Sequence, residues 1–303
     1  MIHSLSILIP VYNHDCSVLV KTLHEQASSI PSLQFEILVY DDASSSEDAM
    51  KRNRLIRDLA HCNLIELPEN IGRSRIRNML AQAASFAHLL FLDSDVQVPD
   101  GFVANYLNAD AEWAVVCGGA SPIDANDMAF KQSDLRSNLR YRYELKAVPR
   151  FSVGNRQKHP YQGFRSTNFM VKRDVMLRCP FEERIRQYGY EDVLWGKLLQ
   201  TQCITIKHID NPVTVDDYEP NDAFLEKTLE GLHTLHFIAE EMQGYSSLLG
   251  TSNLIIRYHL RKTLLAGYRC ISTMIRRNLT GKHPNVYLYN AFRLCEYLSL
   301  TNE

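Results

Sequence analysis

Asp93 and Asp95 flank Ser94 directly after the apolar run His88 to Leu92. In an extended chain, residues two apart point the same way at roughly 6 to 7 Å, so the two carboxylates can hold one hard cation or can simply form a solvated turn. An EF-hand is excluded because Val96, Gln97 and Val98 stand where another acid and a glycine are required. A second apolar run, Phe35 to Tyr40, also ends in paired acids, Asp41-Asp42, followed by Ala43-Ser44-Ser45. Taken alone this is a helix N-cap cluster. Recurring at the same sheet edge as Asp93, it offers a carboxylate to the imide N–H of a nucleobase or to a ribose hydroxyl. Asn70-Ile71-Gly72-Arg73-Ser74-Arg75-Ile76-Arg77-Asn78 opens a helix with a glycine turn and three arginines. Free N–H groups, the positive helix end and a guanidinium fork suit phosphate, while a solvated basic face is the plainer reading. Glu191-Asp192, after Tyr188-Gly189-Tyr190, begins a further helix. These acids complement its dipole, and one of them can act as a general base if the helix start faces the cation.

Placing four such groups together requires strand ends on one edge. The first half of the chain alternates apolar runs with helical patterns, as a βαβ sheet does. Strands are expected at Ser6 to Pro10, Phe35 to Tyr40, Leu64 to Leu67 and His88 to Leu92. Helices are expected at Ser17 to Ser28, from the Ser44-Ser45-Ser46 cluster, and at Arg73 to Phe86. After Pro99 come a helix near Phe102 to Leu107, a strand at Ala114 to Gly118 and a polar helical stretch from about Asp127 to Lys146. A strand at Ser166 to Val171, a helix at Tyr190 to Thr201 and a strand at Ile204 to His208 follow. The basic, turn-rich segment Arg150 to Gly163 is expected to be a mobile loop. The fold class is therefore α/β, a mostly parallel sheet with helices on both faces. The catalytic domain is expected over 1–217, with a nucleotide half at about 1–120 and an acceptor half at about 121–217, and a helical region over 218–303.

The formal net charge of -2 over 303 residues argues against general nucleic-acid binding. Without an apolar leader or a long apolar span, the chain is expected to stay in the cytoplasm. Seven scattered cysteines, none in a C-x-x-C pair, fit reduced thiols better than a zinc site or disulfide framework.

Over about Ser6 to Asp217 the chain resembles the family 2 glycosyltransferases, through five ordered motifs. Ser6-Ile7-Leu8-Ile9-Pro10-Val11-Tyr12-Asn13 is similar to the opening strand and nucleotide loop, and Leu38 to Ser44 to the second strand. Asn70-x-Gly72 with Arg77-Asn78 matches the third motif, Phe91 to Asp95 the D-x-D, and Phe181 to Glu183 with Gly189-Tyr190-Glu191-Asp192 the base motif. The resemblance implies a GT-A fold of Rossmann-like type with a C-terminal helical extension. It also implies inverting transfer from a nucleotide diphosphate sugar, UDP-linked by default, to a saccharide or lipid-linked saccharide in surface-glycan synthesis, as in bacterial members.

The implied roles follow. Asp42 binds the base in a pocket of Pro10, Val11 and Tyr12, with Asn13, Asn70, Gly72 and Ser94 nearby. Asp93 contacts ribose or sugar, Asp95 a Mn²⁺ or Mg²⁺, and Arg77 the diphosphate or sugar. Asp192 is the base and Glu191 orients the acceptor, with Asn168 and Tyr190 on the acceptor side. His208 is a candidate metal ligand, a buried structural histidine being the alternative. A sugar-1-phosphate nucleotidyltransferase would need a glycine-rich basic loop where Val11-Tyr12-Asn13-His14-Asp15 stands, and a nicotinamide enzyme a G-x-G-x-x-G turn. A nucleotide-sugar binder without turnover is the remaining alternative.

From Asn253 to Arg293 the chain has eight Lys or Arg and no Asp or Glu. On a helical wheel Ile256, Leu260, Leu264, Ile271, Met274 and Ile275 share one stripe, and Arg261, Lys262, Arg269, Arg276 and Arg277 another arc. The stripe is expected to pack on the catalytic domain, or else the face contacts an anionic membrane peripherally.

Overall fold

The computed structural model describes residues 2–109, 112–124, 135–215 and 217–301. In chain order the elements begin β1 (Ser4–Val11), α1 (Ser17–Ser28), β2 (Gln34–Asp41), α2 (Glu47–Asn53), β3 (Cys62–Glu66) and α3 (Arg73–Ala83). There follow β4 (His88–Leu92), β5 (Val96–Gln97), α4 (Phe102–Leu107), β6 (Val115–Cys117), β7 (Ala120–Pro122), α5 (Leu139–Ala147) and α6 (Val153–Lys158). Next come β8 (Asn168–Lys172), α7 (Arg173–Arg178), α8 (Glu191–Thr201), β9 (Ile206–His208) and β10 (Val213–Val215). The last four are α9 (Asn221–Phe237), α10 (Ser247–Arg257), α11 (Arg261–Leu279) and α12 (Val286–Leu300). The expected helical stretch from about Asp127 thus appears as α5, its first part lying outside the described residues.

The chain divides into two compact units. One comprises Met1–Ile123, Pro149–Arg186 and Glu191–Asp217, the other Asp124–Val148, Gln187–Tyr190 and Tyr218–Glu303. The first unit holds a seven-stranded sheet in the order β3-β2-β1-β4-β8-β6-β9 and a three-stranded sheet, β5-β10-β7. Strand β8 runs antiparallel to β4 and β6, and every other pairing of the large sheet is parallel. The chain winds outward from β1 through β2 to β3, then returns to β4 on the other side of β1. Such a reversal opens a crevice at the carboxyl ends of β1 and β4, where ligands of open α/β sheets bind.

Each element follows from its residues. In β1 the run Leu5, Ile7, Leu8 and Ile9 is wholly buried, and Ser6 survives there by donating to Glu36 at 2.6 Å. Ser46 caps α2 by accepting from Ala49 N, with Glu47 and Asp48 in the first turn. Trp195 of α8 stacks on Phe181 with centroids 5.0 Å apart and donates from Nε1 to the Cys179 carbonyl at 2.7 Å. Phe164 and Phe169 complete this aromatic cluster, which fixes the helix that begins with Glu191.

The segment 150–163 is not the expected loop. Arg156 of α6 is 4% exposed, and its guanidinium donates to the carbonyls of Phe151, Cys117, Gly118 and Ile209 at 3.0 to 3.1 Å. A fork with five donors, buried in a cage of carbonyls, anchors a helix where composition suggests solvent.

The second unit packs α5 with the C-terminal helices. Leu139, Leu225, Ile275, Leu279, Tyr289 and Phe292 form its core, and Arg140 pairs with Glu144 at 2.9 Å and Glu219 at 2.6 Å. Of the six apolar residues expected to share a packed stripe, only Ile275 is buried. The helix breaks between Arg257 and Arg261, and Leu265, Ile275 and Leu279 turn inward instead. All seven cysteines are free thiols, four of them buried. No helix among the described residues is long and apolar enough to cross a membrane.

Candidate active site

Strand β1 delivers Pro10 and Val11 to the crevice, followed by Tyr12, 53% exposed, and Asn13 in the left-handed region at φ 53°. Asn13 ties two loops together. Its amide oxygen accepts from Ser45 N and Ser46 N at 2.7 and 3.0 Å, and its own N–H donates to Ser44 Oγ at 2.7 Å. Asp42, beyond β2, is buried, and its two oxygens accept from the backbone N–H groups of Ile71 (2.7 Å) and Gly72 (3.0 Å). Burial raises its pKa, and these two amides work against the rise. Asn70 donates to the Asp42 carbonyl at 3.0 Å. Gly72 has φ +84°, which favours glycine at this start of α3, and a Cβ there would also press on the Arg186 carbonyl at 3.3 Å.

One turn into α3, Arg77 is 2% exposed and reaches both acidic motifs. Its Nη2 donates to Asp93 Oδ1 at 2.7 Å, and its Nη1 lies 3.6 Å from Glu191 Oε1. Arg73, half exposed, adds a second guanidinium 4.0 Å from the same Glu191 oxygen. Arg77 Nε and Nη1 and Glu191 Oε2 are buried without hydrogen-bond partners in the described protein. Unmet donors and acceptors at one buried point are costly unless a ligand meets them. The neighbouring Asn78 donates to the Phe181 carbonyl and to Glu183 Oε1, holding the segment that leads to α8.

Asp93 and Asp192 are driven in opposite directions. For Asp93, burial raises the pKa, but Arg77 and Arg73 outweigh it and hold the carboxyl below its usual range. For Asp192, burial and the like charge of Glu191 prevail over Arg165, whose Nη1 lies 4.0 Å away, and the pKa is raised. Asp192 Oδ1 accepts from Val193 N at 2.7 Å. Gly189 and Tyr190, both at positive φ (+98° and +66°), form the turn in sequence before α8, with Tyr190 in a strained conformation for a non-glycine residue. The Tyr190 hydroxyl accepts from Arg293 at 3.5 Å.

Asp95 and Ser94 are half-buried where β4 leaves the sheet. The antiparallel pairing of β10 with β5, Val215 opposite Val96, returns the chain to this point. Two residues on, Asp217 lies 3.6 Å from His14 Nδ1. Among the described residues no group of three or more His, Cys, Asp or Glu could hold a metal ion by itself. Asp95 is the carboxylate that would hold a Mg²⁺ or Mn²⁺, ions that take oxygen ligands.

Two expectations are overturned. Asn168 is fully buried: it accepts from Tyr106 Oη at 2.6 Å and donates to the carbonyls of Gly119 and Asn211 at 2.8 Å, so no group remains for an acceptor. His208 is 2% exposed, with Nδ1 2.9 Å from Arg156 Nη1 and Nε2 2.9 Å from the Pro160 carbonyl. Because guanidinium only donates, Nδ1 accepts and Nε2 carries the proton, leaving no lone pair for a metal. Burial, reinforced by the Arg156 charge, pushes its pKa down to about 4. Conversely, Arg165 was not foreseen. Its guanidinium lies over the Phe151 ring at 4.4 Å and forms a cationic wall beside Asp192. Only its place two residues beyond the basic 150–163 stretch hinted at it.

A sequence model described as Glycosyl transferase family 2 matches residues 6–178. Polypeptide N-acetylgalactosaminyltransferase 8 of Drosophila melanogaster is 32% identical over 225 residues, 68% of this chain and 38% of its own length. Polypeptide N-acetylgalactosaminyltransferase 12 of the same fly, whose name carries the qualifier inactive, is 25% identical over 236 residues. The chain thus spans about two fifths of these curated relatives. Among solved structures, the mannosyltransferase PcManGT of Pyrobaculum calidifontis, in complex with GDP-Man and Mn²⁺, is similar with TM-score 0.56 and 15% identity, covering 99% of this chain and 88% of that one. TarS 1-349 of S. aureus with UDP-GlcNAc follows at TM-score 0.52 and 16% identity, covering 98% and 90%. The fold is the GT-A arrangement.

Proposed function

Since the chain belongs to glycosyl transferase family 2, we propose that it moves a sugar from a nucleotide diphosphate donor to an acceptor hydroxyl, inverting the anomeric centre. The observation that carries this reading is the Arg77 bridge. One buried guanidinium joins Asp93 of the D-x-D to Glu191, immediately before the carboxyl whose proton affinity is raised. Asp192 accepts the acceptor's proton as its oxygen attacks, and its raised pKa makes it a stronger base than Asp93, whose pKa is lowered. Arg77, whose Nε and Nη1 have no hydrogen-bond partner among the described residues, stabilises negative charge on the departing diphosphate or holds a donor hydroxyl. Asp42 reads the base through lone pairs not engaged by Ile71 and Gly72, each carboxylate oxygen having two. Asp95 would hold a divalent cation together with the diphosphate, which would neutralise charge on the leaving group.

N-acetylhexosamine is the proposed sugar and a UDP-sugar the proposed donor. The name of the 32% identical relative and the ligand of TarS support them. A saccharide or lipid-linked saccharide is the proposed acceptor. The qualifier in the second fly relative's name favours the alternative, donor binding without turnover. One experiment separates the two. Incubated with UDP-GlcNAc, UDP-GalNAc and Mn²⁺, the wild-type chain should release UDP. Asp192→Asn should lower that rate by about 10²-fold or more while calorimetry shows nearly unchanged, EDTA-sensitive UDP binding. Binding without release in the wild type supports the alternative, and an active Asp192→Asn moves the base elsewhere.

A further inference from the structure

Segment 150–163 lines a cleft of about 450 Å³ within the first unit, large enough for a saccharide, with Arg150, Phe151, Arg156, His159 and Gln162 on its walls. Phe151 links this cleft to the base. The Arg165 guanidinium lies over its ring at 4.4 Å and, on its other side, comes to 4.0 Å from Asp192 Oδ2. Arg150 lies over the same ring at 5.9 Å. One arginine thus touches both a wall of the cleft and the carboxyl that would take the acceptor's proton.

The charges around the cleft are not balanced. From Arg150 to Arg165 the chain has three arginines and Lys158, and no Asp or Glu. Arg156 spends its donors on four carbonyls and on His208, which burial keeps neutral, so its charge meets no carboxylate among the described residues. Arg150 and Arg165 are exposed, and among the described residues neither guanidinium donates a hydrogen bond, since 4.0 Å to Asp192 is too long for one. Surplus positive charge in a concave site raises the local concentration of anions, and a free guanidinium fork grips phosphate or carboxylate through two parallel bonds.

We propose that this cleft is an acceptor subsite that takes an acidic saccharide, with Arg150 and Arg165 holding its phosphate or carboxylate. Arg165 then brings that group, and the hydroxyl near it, beside Asp192. A neutral saccharide leaves both forks without a partner and binds less tightly. The word acceptor rests on the reading of sugar transfer, whereas the anion site itself does not.

Calorimetry of the full chain with glucose, glucose 6-phosphate and glucuronate, each with and without UDP and Mn²⁺, decides it. At least one acidic sugar is expected to bind about tenfold or more tighter than glucose and to keep that margin when UDP is bound. Which of the two binds tighter tells phosphate from carboxylate. The margin should shrink as salt rises. Arg150→Gln with Arg165→Gln should remove it with the melting temperature unchanged, since both side chains are exposed. Equal affinity for all three sugars overturns the proposal. So does a margin that the double variant retains, or one that UDP abolishes, which would put the anion where the donor diphosphate sits. The reading of sugar transfer fails separately, when UDP neither binds nor is released from a UDP-sugar.

Discussion

Asp93 and Asp192 are two half-buried carboxyls in one crevice, and the difference between them is a direct guanidinium hydrogen bond at Asp93 against a like-charged neighbour at Asp192. Asp93 has Arg77 in direct contact with Arg73 behind it, whereas Asp192 has Arg165 at 4.0 Å and the like charge of Glu191 beside it. Environments that push two carboxyls apart assign their roles. Asp93 stays charged and fixed, and Asp192 can take a proton. A base must be deprotonated to act, so the activity–pH profile should decline on its acid side above the ordinary carboxylate range. Arg165→Gln removes an attraction that lowers this pKa, and the acid limb should move to higher pH. A limb unmoved in that variant, measured as kcat/KM against pH, would detach Arg165 from the base. Sequence exposed Asp93 because it closes an apolar run, and Asp192 because it opens a helix after Tyr188-Gly189-Tyr190. It did not expose Asn168, whose amide reads as a site-facing group until Tyr106, Gly119 and Asn211 are seen around it. These partners lie 43 to 62 residues away in sequence, beyond the reach of local patterning.

At the scale of elements, periodicity served best where one face alone meets the core. Helices α1 and α4 and strand β4 have the bounds their apolar spacing gives. The short strands β5, β7 and β10, two or three residues each, carry no period to detect, yet they return the chain to the D-x-D. Segment 150–163 misled for another reason: pattern reading sends charge to solvent, and Arg156 goes inward to four carbonyls and His208. Arg156→Met should strand these acceptors in the interior and cost about 3 kcal/mol or more. A melting temperature close to wild type, with no new protease cleavage between 148 and 163, would return the segment to a solvated loop. His208 should leave metal dependence untouched when replaced, since both ring nitrogens are occupied within the protein.

On the scale of the whole molecule, the second unit is assembled from stretches that are far apart in the chain. Leu139 of α5 is fully buried in the cluster that includes Ile275 and Phe292, and Arg140 meets Glu219. A cut after Asp217, which domain reading of the sequence invites, would strip α5 of all these partners. The fragment 1–217 should therefore bind a hydrophobic dye and aggregate on concentration. A monomeric, dye-silent fragment would show that α5 finds other cover. The same interleaving gives the molecule a clock. About 150 residues separate Leu139 from Phe292, and at roughly 5 to 20 residues per second a ribosome takes on the order of 10 to 30 s to make them. For that interval α5 has emerged while the helices that cover it have not yet been synthesised, so the nascent chain presents a sticky segment whose protection depends on translation speed.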